Sequence, residues 1–324
     1  MSTLRRLPDV VAFGGGHGLH TSLSALRRVS DSLTAVVTVA DDGGSSGRLR
    51  NEFGCLPPGD LRMALAALCG DDHAGRRWAS VLQSRFAGDG PLAGHAIGNL
   101  LIAGLWQQLD DPVAGLDMVG ELLRTRGRVL PMSSVPLGIE ADVLGLDPLA
   151  PDEICTLSGQ ATVAKTRATV QSVRLVPEDP PAHPEAVAAV HAADAIVLGP
   201  GSWFTSVIPH LLVPKLRDAI YTTSAQRILV MNIAASDETD GFTASRHIEL
   251  LAEHAPILRL DYVLADKGFV ETDRHLIPFA ASLGAELVVA DVRASDGSPR
   301  HDVNRLAAAY SELLGSGAGD LGAC

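Results

Sequence analysis

An apolar run over residues 9–13 breaks directly into Gly14, Gly15, Gly16, His17 and Gly18. Leu19, Leu23 and Leu26 follow at helical spacing. A second apolar, β-branched run fills residues 33–40 and stops at Asp41, Asp42, Gly43 and Gly44. Strand, glycine turn, helix and buried strand in this order open a βαβ unit. That opening favours a parallel sheet wound on both faces.

The rest of the chain extends the pattern. Residues 60–126 read as mostly helical, with Leu61, Ala64, Leu65 and Leu68 on one face and Ile97, Leu101 and Leu105 on another. Residues 129–130, 139–144 and 172–176 read as strands joined by Pro-, Gly- and Asp-rich connections. They suggest a small β-rich insertion over roughly residues 127–180. Strands then recur at 195–198, 228–233, 262–265 and 287–290, with helices at 244–253 and 303–314. The expected fold class is α/β: one doubly wound, Rossmann-like, mostly parallel sheet over residues 1–314 with a helical and small β insertion. The Gly-rich residues 315–324 read as a disordered tail.

Composition excludes several classes. A formal charge of −12 in 324 residues leaves no broad basic face for nucleic acid. The longest apolar runs, 96–106 and 186–198, are interrupted by Asn99 or by His191 and Asp194. They fall short of the ~20 residues a membrane span needs. Residues 1–8 carry arginines but no apolar core of a secretory signal, so a cytoplasmic location is expected. Cys55, Cys69, Cys155 and Cys324 form no CxxC pair and no zinc-spaced cluster, and read as free thiols.

Six loops carry residues suited to ligand chemistry. The run Gly14, Gly15, Gly16 and Gly18 fits neither the dinucleotide fingerprint nor a P-loop, but it precedes a helix N-terminus that offers N–H groups to a phosphate. Asp41 and Asp42 end the second strand, where carboxylates take ribose hydroxyls or hold a divalent cation. Gly43, Gly44, Ser45, Ser46 and Gly47 read as an anion-binding loop, with Arg48 and Arg50 on its far side. Asp60 reads as the cap of the next helix. Arg62 in the first turn opposes the helix dipole, which implies an anionic partner or an ion pair with Asp41 or Asp42. Asn99 interrupts an apolar helix and needs partners, while the preceding His95 reads as structural or solvated. Gly199, Pro200, Gly201 and Ser202 follow a buried strand, with Ser202 as N-cap and Thr205 and Ser206 in the first turn. Asn232 sits near another strand end, and Arg300 precedes the last helix, where it could fork onto a diphosphate or stand as a surface arginine.

The strings FGGGHGL, VTVADDGGSSGRLR, LPPGDLR, GHAIGN and LGPGSWFTSVIPHLLVPKL, between Phe13 and Leu216, resemble the bacterial gluconeogenesis factor (YvcK-type) family. That family shares a superfamily with the 2-phospho-L-lactate transferase of deazaflavin coenzyme biosynthesis. The resemblance implies a cytoplasmic regulator that binds a nucleotide sugar, UDP-N-acetylglucosamine. It further implies a need for the protein in cell shape and cell-wall synthesis on gluconeogenic carbon sources. Cell-wall synthesis proteins and a second copy of the chain are the partners it leaves open, and NAD(P) or Mg²⁺ the additional cofactors. The implied ligand-binding set is Gly14, Gly15, Gly16, Gly18, Leu19, Asp41, Asp42, Gly43, Gly44, Ser45, Ser46, Arg48, Asp60, Arg62, Asn99, Gly199, Pro200, Gly201, Ser202, Thr205, Asn232 and Arg300. No metal is expected for a regulator. A transferase of the related branch would place one at Asp41 and Asp42. Residues 233–238 depart from the Gln/Pro/Gly-containing stretch usual in the family, and residues 266–273 are shorter than in many relatives.

Overall fold

The computed structural model describes residues 6–316 apart from 272 and 274. Its strands are β1 (Asp9–Gly14), β2 (Ser32–Val37), β3 (Arg128–Pro131), β4 (Gly138–Leu144), β5 (Cys155–Ser158), β6 (Thr169–Val176), β7 (Ala195–Leu198), β8 (Gln226–Val230), β9 (Tyr262–Asp266) and β10 (Glu286–Ala290). Seven form one sheet in the order β10-β9-β8-β7-β1-β2-β3. Every pairing in it is parallel; Phe13, for example, lies between Val36 of β2 and Leu198 of β7. The chain leaves β1 towards β2 and β3, then returns to the other side of β1 as β7. The crevice outside the carboxyl ends of β1 and β7 is therefore the topological switch point, where open α/β sheets bind ligands.

Burial explains why these short runs are strands. Val10, Val11, Ala12 and Phe13, and all four residues of β7, are buried on both faces, as a helix-covered parallel sheet requires. The covering helices are α1 (Gly16–Leu26), α2 (Gly44–Phe53), α3 (Pro58–Leu68), α4 (His73–Gln83), α5 (Ile97–Leu109), α6 (Pro112–Leu123), α7 (Gln160–Val163), α8 (Pro184–Ala192), α9 (Pro214–Thr222), α10 (Ala244–His254), α11 (Lys267–Val270), α12 (Leu276–Ser282) and α13 (Val303–Ser316). The final helix is tied to the first by a buried hydrogen bond of 2.7 Å between Tyr310 Oη and Ser22 Oγ.

A separate antiparallel sheet, in the order β5-β4-β6, stands apart from the main one. Ile139, Ala141 and Val143 of β4 alternate inward, while Glu140 and Asp142 bind Arg174 on the other face. Val129 and Leu130 do not belong to it. They lie in β3, paired with β2, so the small sheet begins after Pro131 and not at residue 127. A four-residue apolar run has no periodicity to say which sheet it joins. Strand β2 likewise stops at Val37, short of Ala40, and β8 stops at Val230.

Residues 43–47, read from sequence as a loop, contain the start of α2. Gly43 precedes the helix, and Gly44 adopts φ of +47°. Gly47 lies inside the helix, and it is glycine because a Cβ there would sit 2.0 Å from the Asp42 carbonyl oxygen. Gly315 and Ser316 fall within α13. The remainder of the expected tail, Cys324 included, lies outside the described residues. Cys55, Cys69 and Cys155 are free thiols.

Candidate functional site

The turns after β1 and β7 meet at the switch point. Gly15 precedes α1 with no room for a side chain: a Cβ would lie 2.5 Å from both Asp60 Oδ2 and Thr38 Cγ2. A Cβ on Gly18 would lie 2.3 Å from the Pro200 carbonyl oxygen. Gly14 and Gly16 carry φ of +156° and +56°, so the backbone reverses within two residues. Leu19, expected to touch ligand, is buried beneath Gly14 in the core; its backbone N–H is spent on the Gly15 carbonyl.

The β7 turn is held from outside by the connection after β8. Asn232 accepts from the Gly201 N–H at 2.9 Å and donates to the Gly201 carbonyl at 2.9 Å. Both functions of its amide are used on the turn, so Asn232 supports the loop. Ser202 occupies the cap position, but its side chain makes no capping bond, and the following turn is a π-helical one over Trp203–Val207. That turn is capped by Glu238. Its Oε1 accepts from the Phe204 N–H at 3.0 Å and its Oε2 from the Thr205 hydroxyl at 3.3 Å. Thr205 is thereby committed to the protein interior. Burial pushes the Glu238 carboxyl up to about 7, against the pull of these hydrogen bonds. Sequence reasoning missed Glu238; its only signal was its place in the departing stretch 233–238.

The acidic residues do not converge as the sequence suggested. Asp41 accepts from the Gly43 N–H at 2.9 Å, whereas Asp42 turns away to accept from the Ala161 N–H of α7 at 2.9 Å. Asp42 thereby anchors α7 to the loop. The carboxylate facing Asp41 comes from Asp60. Asp60 is the third residue of α3 and not its cap, which falls at Pro57. Burial first, then the Asp41 charge, raises the Asp60 carboxyl to about 7, opposed by the Gly16 N–H and Arg62.

Arg62 and Asn99 complete this end of the site. Arg62 is 4% exposed, and its Nε and Nη1 have no hydrogen-bond partner; among the described residues it forms no ion pair with Asp41 or Asp42. Burial, then the Arg85 charge, lowers it to about 10. Asn99, 2% exposed, donates through Nδ2 to Ser45 Oγ at 3.0 Å, and Ser45 Oγ meets His95 Nδ1 at 2.9 Å. Asn99 Oδ1 is left without a partner. Ser46 Oγ accepts from the Gly59 N–H at 3.0 Å and binds α2 to α3. Arg48 points outward to the carbonyls of Pro91 and Ala93, at 3.2 and 2.8 Å. A cavity of about 240 Å³ opens among Asp41, Gly44, Ser45, Asp60, Arg62 and Asn99.

The model of the family described as 2-phospho-L-lactate transferase CofD matches residues 10–303. A Mycobacterium tuberculosis chain designated a gluconeogenesis factor is 54% identical over 97% of this chain and 92% of its own length. The gluconeogenesis factor of Bacillus subtilis is 32% identical over 95% of this chain and 98% of its own length. The chain belongs to the gluconeogenesis factor family, within the CofD group. A crystal structure of a UPF0052 family protein from Bacillus halodurans has the same fold, with a TM-score of 0.82 at 32% identity, covering 94% of this chain and 99% of that one.

Arg300, offered by the sequence either to a diphosphate or as a surface arginine, lies at the surface. Its side chain is 75% exposed and engages Asp296 at 3.6 Å and Ser298 Oγ at 3.3 Å, both in its own turn. Among the described residues of this gluconeogenesis factor relative, no group of three or more His, Cys, Asp or Glu is placed to hold a metal. No helix among them is long and apolar enough to cross a membrane.

Proposed function

We propose that this protein is a cytoplasmic regulator that binds a nucleotide sugar of the UDP-N-acetylglucosamine type and supports cell shape and cell-wall synthesis during growth on gluconeogenic carbon. The observation that carries the reading is the meeting of two glycine-rich turns, residues 14–18 and 199–202, at the sheet's switch point. Phosphates approach backbone N–H groups closely only where no Cβ intervenes, and the eleven-residue α1 adds its positive end. Asp41 lies at the carboxyl side of β2, where acidic residues take ribose hydroxyls. Calorimetry with UDP-N-acetylglucosamine tests the reading. Saturable binding is expected, with NAD(P) weaker at the same cradle; no heat at millimolar ligand rejects it.

A second reading rests on the Asp41–Asp60 pair. The Asp41 charge helps to raise the Asp60 carboxyl, and two facing carboxylates fit a divalent cation; Mg²⁺ typically takes one or two carboxylates plus substrate phosphates. A bound Mg²⁺ would stabilise charge on a transferring phosphate. The residues would act by holding donor and acceptor: the glycine turns on the nucleotide and Arg62 on a phosphate oxygen. An assay with a nucleotide-activated phospho-acid and a deazaflavin acceptor separates the readings, because a regulator yields no product with or without Mg²⁺.

A further inference from the structure

The geometry points to a dedicated phosphate subsite, walled by the N-terminus of α2, Arg62 and Asn99, beside the nucleotide crevice. It deepens the reading above, resting on it only for the larger ligand that lies next door.

Three independent features meet at this cavity. The ten-residue helix α2 leaves its first N–H groups, at Gly44, Ser45 and Ser46, outside its own ladder. Those residues line the cavity together with Arg62. Arg62 brings two guanidinium donors that no protein atom accepts, in a side chain almost wholly removed from water. A buried cation is costly, and Asp60 and Asp41 offset this one through their charge while no acceptor in the fold meets its Nε or Nη1. Its stem is threaded past α5 at Gly98, where a Cβ would lie 2.8 Å from Arg62 Cγ. The helix thus carries glycine where the arginine must pass.

Asn99 sets which oxyanion fits. Its Nδ2 is fixed on Ser45 Oγ, so the unpartnered atom is the acceptor Oδ1. An acceptor inside an anion site demands an O–H from the ligand. Inorganic phosphate keeps such a proton at neutrality, and an ester, with a second pKa of about 6, keeps it in its monoanion. Sulfate has none to give. The volume of about 240 Å³ suits one phosphate with a short tail; it lies below the roughly 300 Å³ at which pockets for drug-sized ligands begin. The charges facing the cavity are Arg62 and the rim Arg85 on one side and Asp41 and Asp60 on the other. A divalent cation on the carboxylates would strengthen phosphate binding.

The test uses the full chain and calorimetry with inorganic phosphate, glycerol 3-phosphate and sulfate, each with and without Mg²⁺. Saturable phosphate binding is expected, with sulfate at least tenfold weaker. Glycerol 3-phosphate competing with phosphate assigns the subsite to an esterified ligand; phosphate alone binding assigns it to the free ion. Arg62→Lys and Asn99→Leu should each weaken phosphate about tenfold, and Asn99→Leu should also erase the preference over sulfate. Should those variants misfold, ³¹P relaxation of phosphate by Mn²⁺ on the native chain still reports the site. Absence of saturable phosphate binding, equal affinity for sulfate, or binding indifferent to both substitutions overturns the proposal. Phosphate binding without UDP-N-acetylglucosamine binding rejects the nucleotide-sugar reading and leaves the subsite standing; the reverse result removes the subsite alone.

Discussion

The side-chain amide of Asn232 mirrors the backbone of Gly201, accepting from its N–H and donating to its carbonyl, each at 2.9 Å. A residue at the end of β8 thereby sets the position of the turn after β7. Replacing it with alanine leaves two backbone groups unpaired at the crevice. Asn232→Ala should lower stability by about 1–3 kcal/mol. Urea unfolding measures that loss, and calorimetry should show weaker nucleotide-sugar binding because the turn after β7 loses its support. Unchanged affinity would mean that the β7 turn is not part of the site.

Gly18 and Gly16 should respond differently to alanine. At Gly18 the new methyl meets the Pro200 carbonyl at 2.3 Å, so the two turns must separate. At Gly16 there is open space, and only the positive φ of +56° is strained. Gly16→Ala should cost about 1–2 kcal/mol. Gly18→Ala should cost as much or more and also abolish binding. Equal affinities in the two variants would count against the meeting of the turns as the ligand cradle.

Glu238 makes a pH-dependent contribution. Its carboxyl rises from 4.5 to about 7 in the fold, so the folded chain binds the extra proton between those values. Stability from this group therefore falls as pH rises from about 4.5 to 7, by up to about 3 kcal/mol. Glu238→Gln keeps an acceptor for Phe204 and removes the charge. The stability difference, variant minus wild type, should grow across that window in chemical denaturation. A flat difference would show that the carboxyl titrates normally.

Divalent cation binding should depend on Asp41 and Asp60 and not on Asp42. Mg²⁺ should raise the Tm of the native chain, as any ligand confined to the folded state does. Asp41→Asn and Asp60→Asn should remove the increment, while Asp42→Asn should keep it, because Asp42 is bound to Ala161. A Tm increment in all three variants would place the cation elsewhere.

Arg300→Ala should leave nucleotide-sugar affinity within about twofold, the scatter expected for an exposed group engaged in its own turn. A tenfold loss would require the 296–300 turn to close over the ligand.

Much of the fold is legible in the order of residues alone. The βαβ opening and the later strands are continuous apolar runs, and burial on both sheet faces leaves no other reading for them. The glycine turns are legible because few other residues adopt positive φ or permit backbone contact. Less local matters are not. Residues 43–47 start a helix through the Gly47 N–H to Gly43 carbonyl bond, which a glycine- and serine-rich string does not announce. Whether β3 joins the large or the small sheet depends on its pairing with β2.

The amino-acid sequence by itself determined the sheet class, the family and the glycine-rich turns after β1 and β7, because those follow from local burial and backbone freedom. Only the tertiary structure decided the partners. It set Asp60, not Asp42, opposite Asp41; it spent Asn232 and Thr205 on holding a turn; and it left Arg62 Nε and Nη1 and Asn99 Oδ1 without hydrogen-bond partners. Side-chain direction at a strand end and the reach of a buried arginine are set by elements far apart in the chain, and spacing along the sequence does not carry them.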